Sequence, residues 1–351
     1  MTTARRIAVV LANLGGPDGP EAVEPFLFNL FNDPAIIGLP GLIRTPLARL
    51  ISSRRRASAQ ANYDLMGGGS PLLPETRKQA EALQTLLRDR RPSDDVRVFV
   101  AMRYWNPLTD ETSRDVEAFG PDDVVFLPLY PQFSTTTTAS SLKAWKSAYR
   151  GPGDLHVACC WPDASGWIEA QAEKISDALK QAGDAPVRVL FSAHGIPEKL
   201  VRAGDPYQAQ VETTVQAIVD RLGLIDWQIC YQSRVGPLKW LGPSTPDAIR
   251  MAAADRVGVV VAPVAFVSEH IETLVELDIE YRHLADELNC SPYLRAAAVG
   301  TAPAFISELA DVALRTLAAS GVAPQGPARG THCAGFKACP SGCGRRTEIA
   351  A

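Results

Sequence analysis

The sequence predicts an α/β protein with parallel sheets, built as two similar halves followed by a short cysteine-bearing tail. Three observations carry this reading. Apolar runs such as VRVLFSA and VGVVVAPVAFVS read as buried strands. They alternate with helical stretches of ten to sixteen residues, the rhythm of successive β–α–β units. The rhythm then runs twice along 351 residues, a length that suits two ordinary domains. Boundaries fall at 1–162 for the first half, 163–305 for the second, and 306–351 for a closing helix with its tail.

Composition narrows the function. Apolar residues make up 46% and charged residues 21%, an ordinary soluble balance. With a formal net charge of -4, nucleic acid is not an expected partner. The start, MTTARRIAVVLANLGGP, is a short basic lead into a strand rather than a secretory segment, and no apolar run is long enough to span a bilayer. A cytoplasmic protein is expected.

In the first half, the strand over 7–14 runs into Gly15-Gly16-Pro17. A dinucleotide fingerprint requires GxGxxG opening a helix, whereas Pro17, Asp18, Gly19 and Pro20 follow here, so no nucleotide is expected. The next segment starts as a helix that Pro34, Pro40 and Pro46 should break. Phe26, Phe28, Leu30, Phe31, Ile36, Ile37, Leu39, Leu42 and Ile43 make it greasy. This reads either as local core or as an apolar lip over a pocket or a membrane surface. Arg54, Arg55 and Arg56 follow, a basic triplet that sits in solvent or holds carboxylates or lipid phosphates. A helix over 75–90 leads to a strand ending in Arg103 and Tyr104, at a carboxyl end where ligands gather in parallel sheets. A helix over 110–119, a strand in DDVVFLPLYPQFS and a polar loop into another helix precede DLHVACCWP, a short strand carrying Cys159 and Cys160.

The second half opens with a helix over 166–181 and the strand VRVLFSA. His194 sits just past it, between small residues that permit a tight turn, and Pro197 starts a new element. A histidine there is placed to take or give a proton near neutral pH; alone it would more often be a capping or core residue. A helix over 207–222, the strand WQICYQS, a helix over 246–254 and the strand VGVVVAPVAFVS follow. One helix is then expected over 269–288 and another over 302–320. On the first of these, Glu269, Glu272, Glu276 and Glu280 recur at spacings of three and four and share one face, with His270 in the first turn. The plain reading is a solvated stripe. The functional reading is a cleft-edge row that binds a divalent cation or passes protons, with crowding raising one carboxyl pKa.

Seven blocks stand in order along the chain: LANLGGP, MGGGSPL, MRYWNPLT, LPLYPQFSTTTTASS, FSAHGIPEKLVRAGDPY, YQSRVGPLKWLGPST and FVSEHIETLVELDIEY. Through them the sequence resembles the ferrochelatases, which insert ferrous iron into a porphyrin at the end of haem synthesis. The resemblance implies a chelatase-like pair of Rossmann-like domains with a cleft between them and no nucleotide. It implies that His194 is a metal ligand or the acceptor of pyrrole protons, paired with Glu272 across the cleft. Glu269 and Glu276, with Asp278, match the acidic line along which iron or protons move. Arg54, Arg55, Arg103, Tyr104 and Leu14 match porphyrin-pocket positions, and the segment 26–43 matches the lip, which faces lipid in membrane-bound members. The chemistry agrees: a porphyrin is an apolar disc with propionates and needs a greasy cleft with a few cations. Its metallation needs a base near the ring face.

Seven cysteines are unevenly placed, and Cys333, Cys339 and Cys343 crowd the tail with spacing C-x5-C-x3-C. Three thiolates need a fourth ligand for an iron–sulfur or zinc site. Cys159 or Cys160 could supply it, or His332 for zinc. The resemblance favours a 2Fe-2S cluster with a ligand set rearranged from that of animal members. Cys230 and Cys290 read as buried structural thiols. The expected substrates are Fe2+ and protoporphyrin, with coproporphyrin or another tetrapyrrole and metal as the nearest alternatives, and a non-catalytic haem carrier as the alternative of another class. A monomer or homodimer is expected.

Overall fold

The computed structural model describes residues 4–234 and 238–318. The chain divides into two compact units, Met1–Trp161 with Ile306–Ala351, and Pro162–Phe305. The helix that heads the expected tail thus groups with the first unit.

The first unit is built on four parallel strands, β1 (Arg6–Asn13), β2 (Asp95–Met102), β3 (Asp123–Pro128) and β4 (Asp154–Val157), in the order β2-β1-β3-β4. Seven of the eight residues of β1 are buried, as a central strand covered on both faces requires. Ala8, Val10 and Ala12 of β1 pack with Val124 and Phe126 of β3, and Trp145 and Phe119 close that face. Helices α1 (Val23–Phe31), α2 (Gly41–Asp64), α3 (Leu72–Arg90), α4 (Thr109–Phe119) and α5 (Thr138–Ala148) connect the strands. The turn after β1 depends on Gly15: its φ is +87°, and a Cβ there would lie 3.0 Å from the Trp105 backbone nitrogen.

Two expectations change here. Pro46 does not break its segment but lies inside α2. It deprives only the Leu42 carbonyl of a donor, and Leu42 is 94% exposed, so water can replace the lost bond. The strand expected to carry Cys159 and Cys160 ends at Val157, so the pair follows the strand instead of belonging to it. The apolar lip is only partly core: Phe26 and Leu27 are buried, whereas Ile36, Leu39, Leu42 and Ile43 are exposed.

The second unit repeats the plan. Strands β5 (Val187–His194), β6 (Trp227–Gln232), β7 (Gly258–Pro263) and β8 (Tyr293–Arg295) are parallel, in the order β6-β5-β7-β8. Helices α6 (Ser165–Ala182), α7 (Glu198–Arg202), α8 (Tyr207–Leu222), α9 (Thr245–Ala254) and α10 (Tyr281–Glu287) complete it; α11 (Pro303–Ala318) begins at its end and lies mostly in the first unit's share of the chain. The start of α9 shows its capping chemistry plainly: Ser244 Oγ accepts from the Asp247 N–H, with Pro246 in the first turn. Chain order reverses between the neighbouring strands β5 and β7, the switch point at which parallel sheets open a crevice beyond their carboxyl ends.

The helix expected over 269–288 is two elements. A nine-residue π-helix, Glu272–Glu280, precedes α10. Such helices are rare and gather at functional sites. Three side chains supply bonds to its carbonyls: Gln232 Nε2 donates to Glu272 O at 3.1 Å, Tyr293 Oη to Leu277 O at 2.6 Å and Arg282 Nε to Asp278 O at 3.2 Å. Strand β8, three residues long, is too short to have stood out in the sequence.

Candidate active site

The best-connected polar cluster of the second unit lies at its switch point. His194 is the last residue of β5, and the next residue, Gly195, turns back so closely that its N–H donates to Gln232 O at 2.9 Å. A Cβ on Gly195 would lie 2.9 Å from that same oxygen, which leaves the position to glycine. Strand β7 lies beside β5, and the π-helix begins nine residues after β7 ends, which returns Glu272 to His194. His194 Nδ1 is 3.1 Å from Glu272 Oε2. The expected gap between the two residues is therefore absent: they are in direct contact within one unit, and no ring fits between them.

His270 reaches the same carboxylate oxygen, its Nε2 at 3.4 Å, and its own backbone N–H donates to Thr273 Oγ1. These donors point at one carboxylate rather than at a shared empty point. Accordingly, no group of three or more His, Cys, Asp or Glu side chains is arranged to hold a metal ion among the described residues. Burial opposes charge on both members of the His194–Glu272 pair. Each nevertheless holds the other charged: the His194 pKa is raised above 6.5, chiefly by Glu272, and the Glu272 carboxyl lies far below the usual range because of His194 and His270. The imidazole is 39% exposed, and its Nε2 has no hydrogen bond among the described residues.

Most of the acidic row is relieved of crowding by hydrogen-bond partners. Glu276 accepts from Gln232 Nε2 at 3.2 Å, from Ser233 N at 2.8 Å, from Ser233 Oγ and from Tyr281 Oη. Glu269 and Asp278 share Arg295, which donates from Nη1 to Glu269 at 3.0 Å and from Nε and Nη2 to Asp278 at 2.7 and 2.8 Å. Burial opposes the charge of Glu269, but Arg295 and the Ala298 N–H hold its pKa down. Only Glu280 is pushed up, by burial and by Glu276. Crowding thus raises a carboxyl at the far end of the row and not beside the histidine. Gln232, Ser233 and Arg295 were missed. The first two end the strand block WQICYQS, at a carboxyl edge where they could have been singled out; Arg295 lies on a strand too short to notice.

In the first unit, Arg103 and Tyr104 meet on Asp33, a residue the sequence did not single out. Arg103 Nη2 donates to Asp33 Oδ2 at 2.6 Å and Tyr104 Oη at 2.9 Å; Ser140 Oγ and the Ala35 N–H complete the set. Burial opposes the Asp33 charge, yet Ser140, Ala35, Arg103 and Tyr104 hold its pKa below 3.8. Tyr104 has no exposed surface, so its hydroxyl serves this network instead of standing open to a ligand. Leu14 is half-buried, and its carbonyl accepts from the Tyr104 N–H at 2.9 Å. Arg54 and Arg55 are exposed on α2, with the Arg55 guanidinium 5.7 Å from the Phe31 ring centre.

Cys159 and Cys160 are each 1% exposed and pack in the first unit's core, with their sulfurs 3.7 Å apart. Cys333, Cys339, Cys343 and His332 lie outside the described residues. Cys230 and Cys290 are buried, and burial pushes the Cys230 thiol up to about 12. No helix among the described residues is long and apolar enough to cross a membrane.

Comparison with known proteins agrees over nearly the whole chain. The Ferrochelatase family model matches residues 6–317. The chain is 62% identical over 308 residues to the ferrochelatase of Caulobacter vibrioides strain NA1000, covering 87% of this chain and 89% of that one. It is 59% identical over 324 residues to that of Phenylobacterium zucineum, covering 92% and 94%. Among solved structures, SirB from Bacillus subtilis with Fe3+ superposes with a TM-score of 0.51 at 10% identity, covering 90% of this chain and 97% of that one. A multi-domain protein of Deinococcus radiodurans, described as structurally similar to chelatases, gives 0.52 at 16% identity and covers 88% and 54%. At these identities the two structures speak for the fold alone.

Proposed function

We propose, from the premise that this chain is a member of the ferrochelatase family, that the His194–Glu272 pair takes the protons released when it inserts iron into a porphyrin. The overall reaction is that of the family: Fe2+ enters the macrocycle, two pyrrole N–H protons leave, and nitrogen–metal bonds form in a step of haem synthesis. Fe2+ and the porphyrin are substrates.

One observation carries the assignment. Nδ1 of His194 is bonded to Glu272 at 3.1 Å, while Nε2 has no partner among the described residues. With Nδ1–H donated to the carboxylate, the Nε2 lone pair is available to accept a pyrrole proton. The imidazolium that results is stabilised by Glu272, and the raised pKa of His194 reports that stabilisation. Taking the first proton exposes a nitrogen lone pair to the incoming cation; the imidazolium then passes that proton to solvent across its exposed side and accepts the second, while Glu272 stays bonded at Nδ1 and adds negative charge that favours the approaching Fe2+. Glu276, with four donors already on its carboxylate, acts as a fixed anion beside the route, and Glu269 is held by Arg295. A haem carrier needs no such deprotonating pair, which favours the enzyme over that alternative.

Arg54, Arg55 and Arg103 supply cations for propionates, Tyr104 fixes Arg103 through Asp33, and Leu14 contributes apolar surface. The exposed lip residues Leu39, Leu42 and Ile43, beside a basic helix, suit a lipid surface and the more apolar substrate, protoporphyrin, over coproporphyrin. Cys159 or Cys160, with Cys333, Cys339 and Cys343, would hold a 2Fe-2S cluster. The donor chemistry fits at the one position the fold describes: two thiols in an apolar setting shielded from water. Protein as isolated should then show sulfur-to-iron charge-transfer bands that Cys339→Ala abolishes; a colourless protein holding one zinc per chain would contradict the cluster. For the central assignment, purified protein is mixed anaerobically with Fe2+ and protoporphyrin while the Soret band is followed. Turnover in His194→Ala equal to wild type would remove His194 from the mechanism.

A further inference from the structure

Gln232 joins the strand end that carries His194 to two acidic residues of the π-helix, Glu272 and Glu276. It is 1% exposed and is the register partner of His194 across the β5–β6 pair. Its side-chain nitrogen donates twice into the π-helix, to Glu272 O at 3.1 Å and to Glu276 Oε2 at 3.2 Å. Its side-chain oxygen accepts from Ser192 Oγ at 2.7 Å, and Ser192 Oγ in turn lies 3.0 Å from Thr245 Oγ1. Ser192 and Thr245 are both fully buried. The amide therefore has one allowed orientation. Flipped, its oxygen would face a carboxylate and a carbonyl, three buried acceptors with no proton between them, although the Ser192 hydroxyl could accept from its N–H.

We infer that Gln232 is a positioning residue for iron insertion: it fixes the first turn of the π-helix against β6, and so sets where the Glu272 carboxylate meets His194, with Ser192 as the lock on its amide. The inference rests on the assignment of His194 and Glu272 above and names what holds that pair in place. The two adjacent strand ends divide the work. His194 takes the Glu272 side chain, while Gln232 takes the Glu272 backbone and the next acidic residue on that face. Without the amide, the Glu272 carbonyl loses the donor that the sheet supplies and Glu276 loses one of its four. The helix turn is then free to shift by the few tenths of an ångström that separate a 3.1 Å contact from none.

The test uses the full chain, Fe2+ and protoporphyrin without air, with porphyrin binding read separately by fluorescence. Replacing Gln232→Met keeps the volume and removes the amide. The expected result is a fall in kcat of roughly 10- to 100-fold, the usual cost of losing a supporting partner, with porphyrin affinity within about twofold of wild type. Because the residue acts through His194, adding Gln232→Met to His194→Ala should cost less than about twofold more, whereas independent damage would multiply in full. Ser192→Ala, which frees the amide without removing it, is a milder variant should Gln232→Met fold poorly, and should give a smaller loss with the same lack of additivity. Wild-type kcat in both variants, or losses that multiply with His194→Ala, would overturn the inference. The parent assignment fails separately: a normal rate in His194→Ala alone strikes it, whereas a normal Gln232→Met beside an inactive His194→Ala strikes only the role of Gln232.

Discussion

The same four-strand order is built twice, but the first strand of one sheet ends in Asn13 and that of the other in His194. At the corner in the first unit, the carboxylate that organises the neighbourhood, Asp33, meets an arginine, two hydroxyls and a backbone N–H. At the corner in the second, Glu272 meets two histidines. An arginine stays charged at any pH a protein experiences, while a histidine does not. One corner is therefore a fixed electrostatic strut, and the other holds groups whose proton content can change near neutral pH. The topology is shared, and the chemistry follows from which cation faces the buried acid.

The sharpest way to break this contrast is His194→Ala. If the second corner works by accepting protons, metallation falls by about 10²- to 10⁴-fold, with porphyrin binding retained by fluorescence titration. Next in size is Asp33→Ala, which leaves Arg103 facing an emptied, mostly buried site. A loss of about 3 kcal/mol is expected, read as a drop in the thermal or denaturant midpoint, and pH should hardly modulate it between 5 and 8. A stability change under 1 kcal/mol would mean the first corner is no strut.

The pH response separates the corners more finely. Nε2 of His194 must be free of a proton to accept one, so kcat/KM should fall as pH drops through a pKa above 6.5. Glu272→Gln removes the anion that raises that pKa, so the acid limb should move to lower pH while the plateau rate also falls. An unmoved limb would assign it to another group. In stability terms, the raised His194 contributes below pH 6.5 and its contribution is lost as pH rises through the raised value. The lowered Glu272 and Asp33 contribute above 4.5 and 3.8 respectively, and each loses its contribution as pH falls towards its depressed value. The smallest effect expected is that of Arg55→Ala. Its exposed guanidinium over Phe31 should be worth about 0.5–1 kcal/mol or less, so a porphyrin affinity that becomes less salt-dependent in this variant would be the more telling result.

Sequence alone made the second corner half visible. The turn after VRVLFSA drew attention to His194 and the i, i+3, i+4 spacing to a row of glutamates, because both signals are local, but only the resemblance to the ferrochelatases picked Glu272 from that row. Their contact is not local. It arises because β7 lies beside β5, a pairing of strands that are seventy residues apart along the chain. Gln232 and Arg295 escaped for the same reason: each acts on a helix that its own neighbourhood in sequence does not contain. Asp33 hid in NDP, which reads as a turn, and only the fold brings Ser140, Arg103 and Tyr104 to it. Tyr104 differs again. The strand expected to end in Arg103 and Tyr104 stops at Met102, and the chain beyond it buries Tyr104 completely. The π-helix could not be foreseen either, since its acidic spacing also fits an α-helix and the donors that hold it come from other strands.

The wide turn of Glu272–Glu280 also bears on how freely this stretch can vary in length. A helix bonded i to i+5 accommodates one residue more than the α-form over the same rise. Deleting a single residue there would let the backbone relax to ordinary helix and change which side chains within the stretch face their partners, moving Glu276 relative to β6 and Asp278 relative to its arginine. Point substitutions within the stretch are therefore a gentler perturbation than any change of spacing, and family members that keep this chemistry should keep this segment free of insertions and deletions.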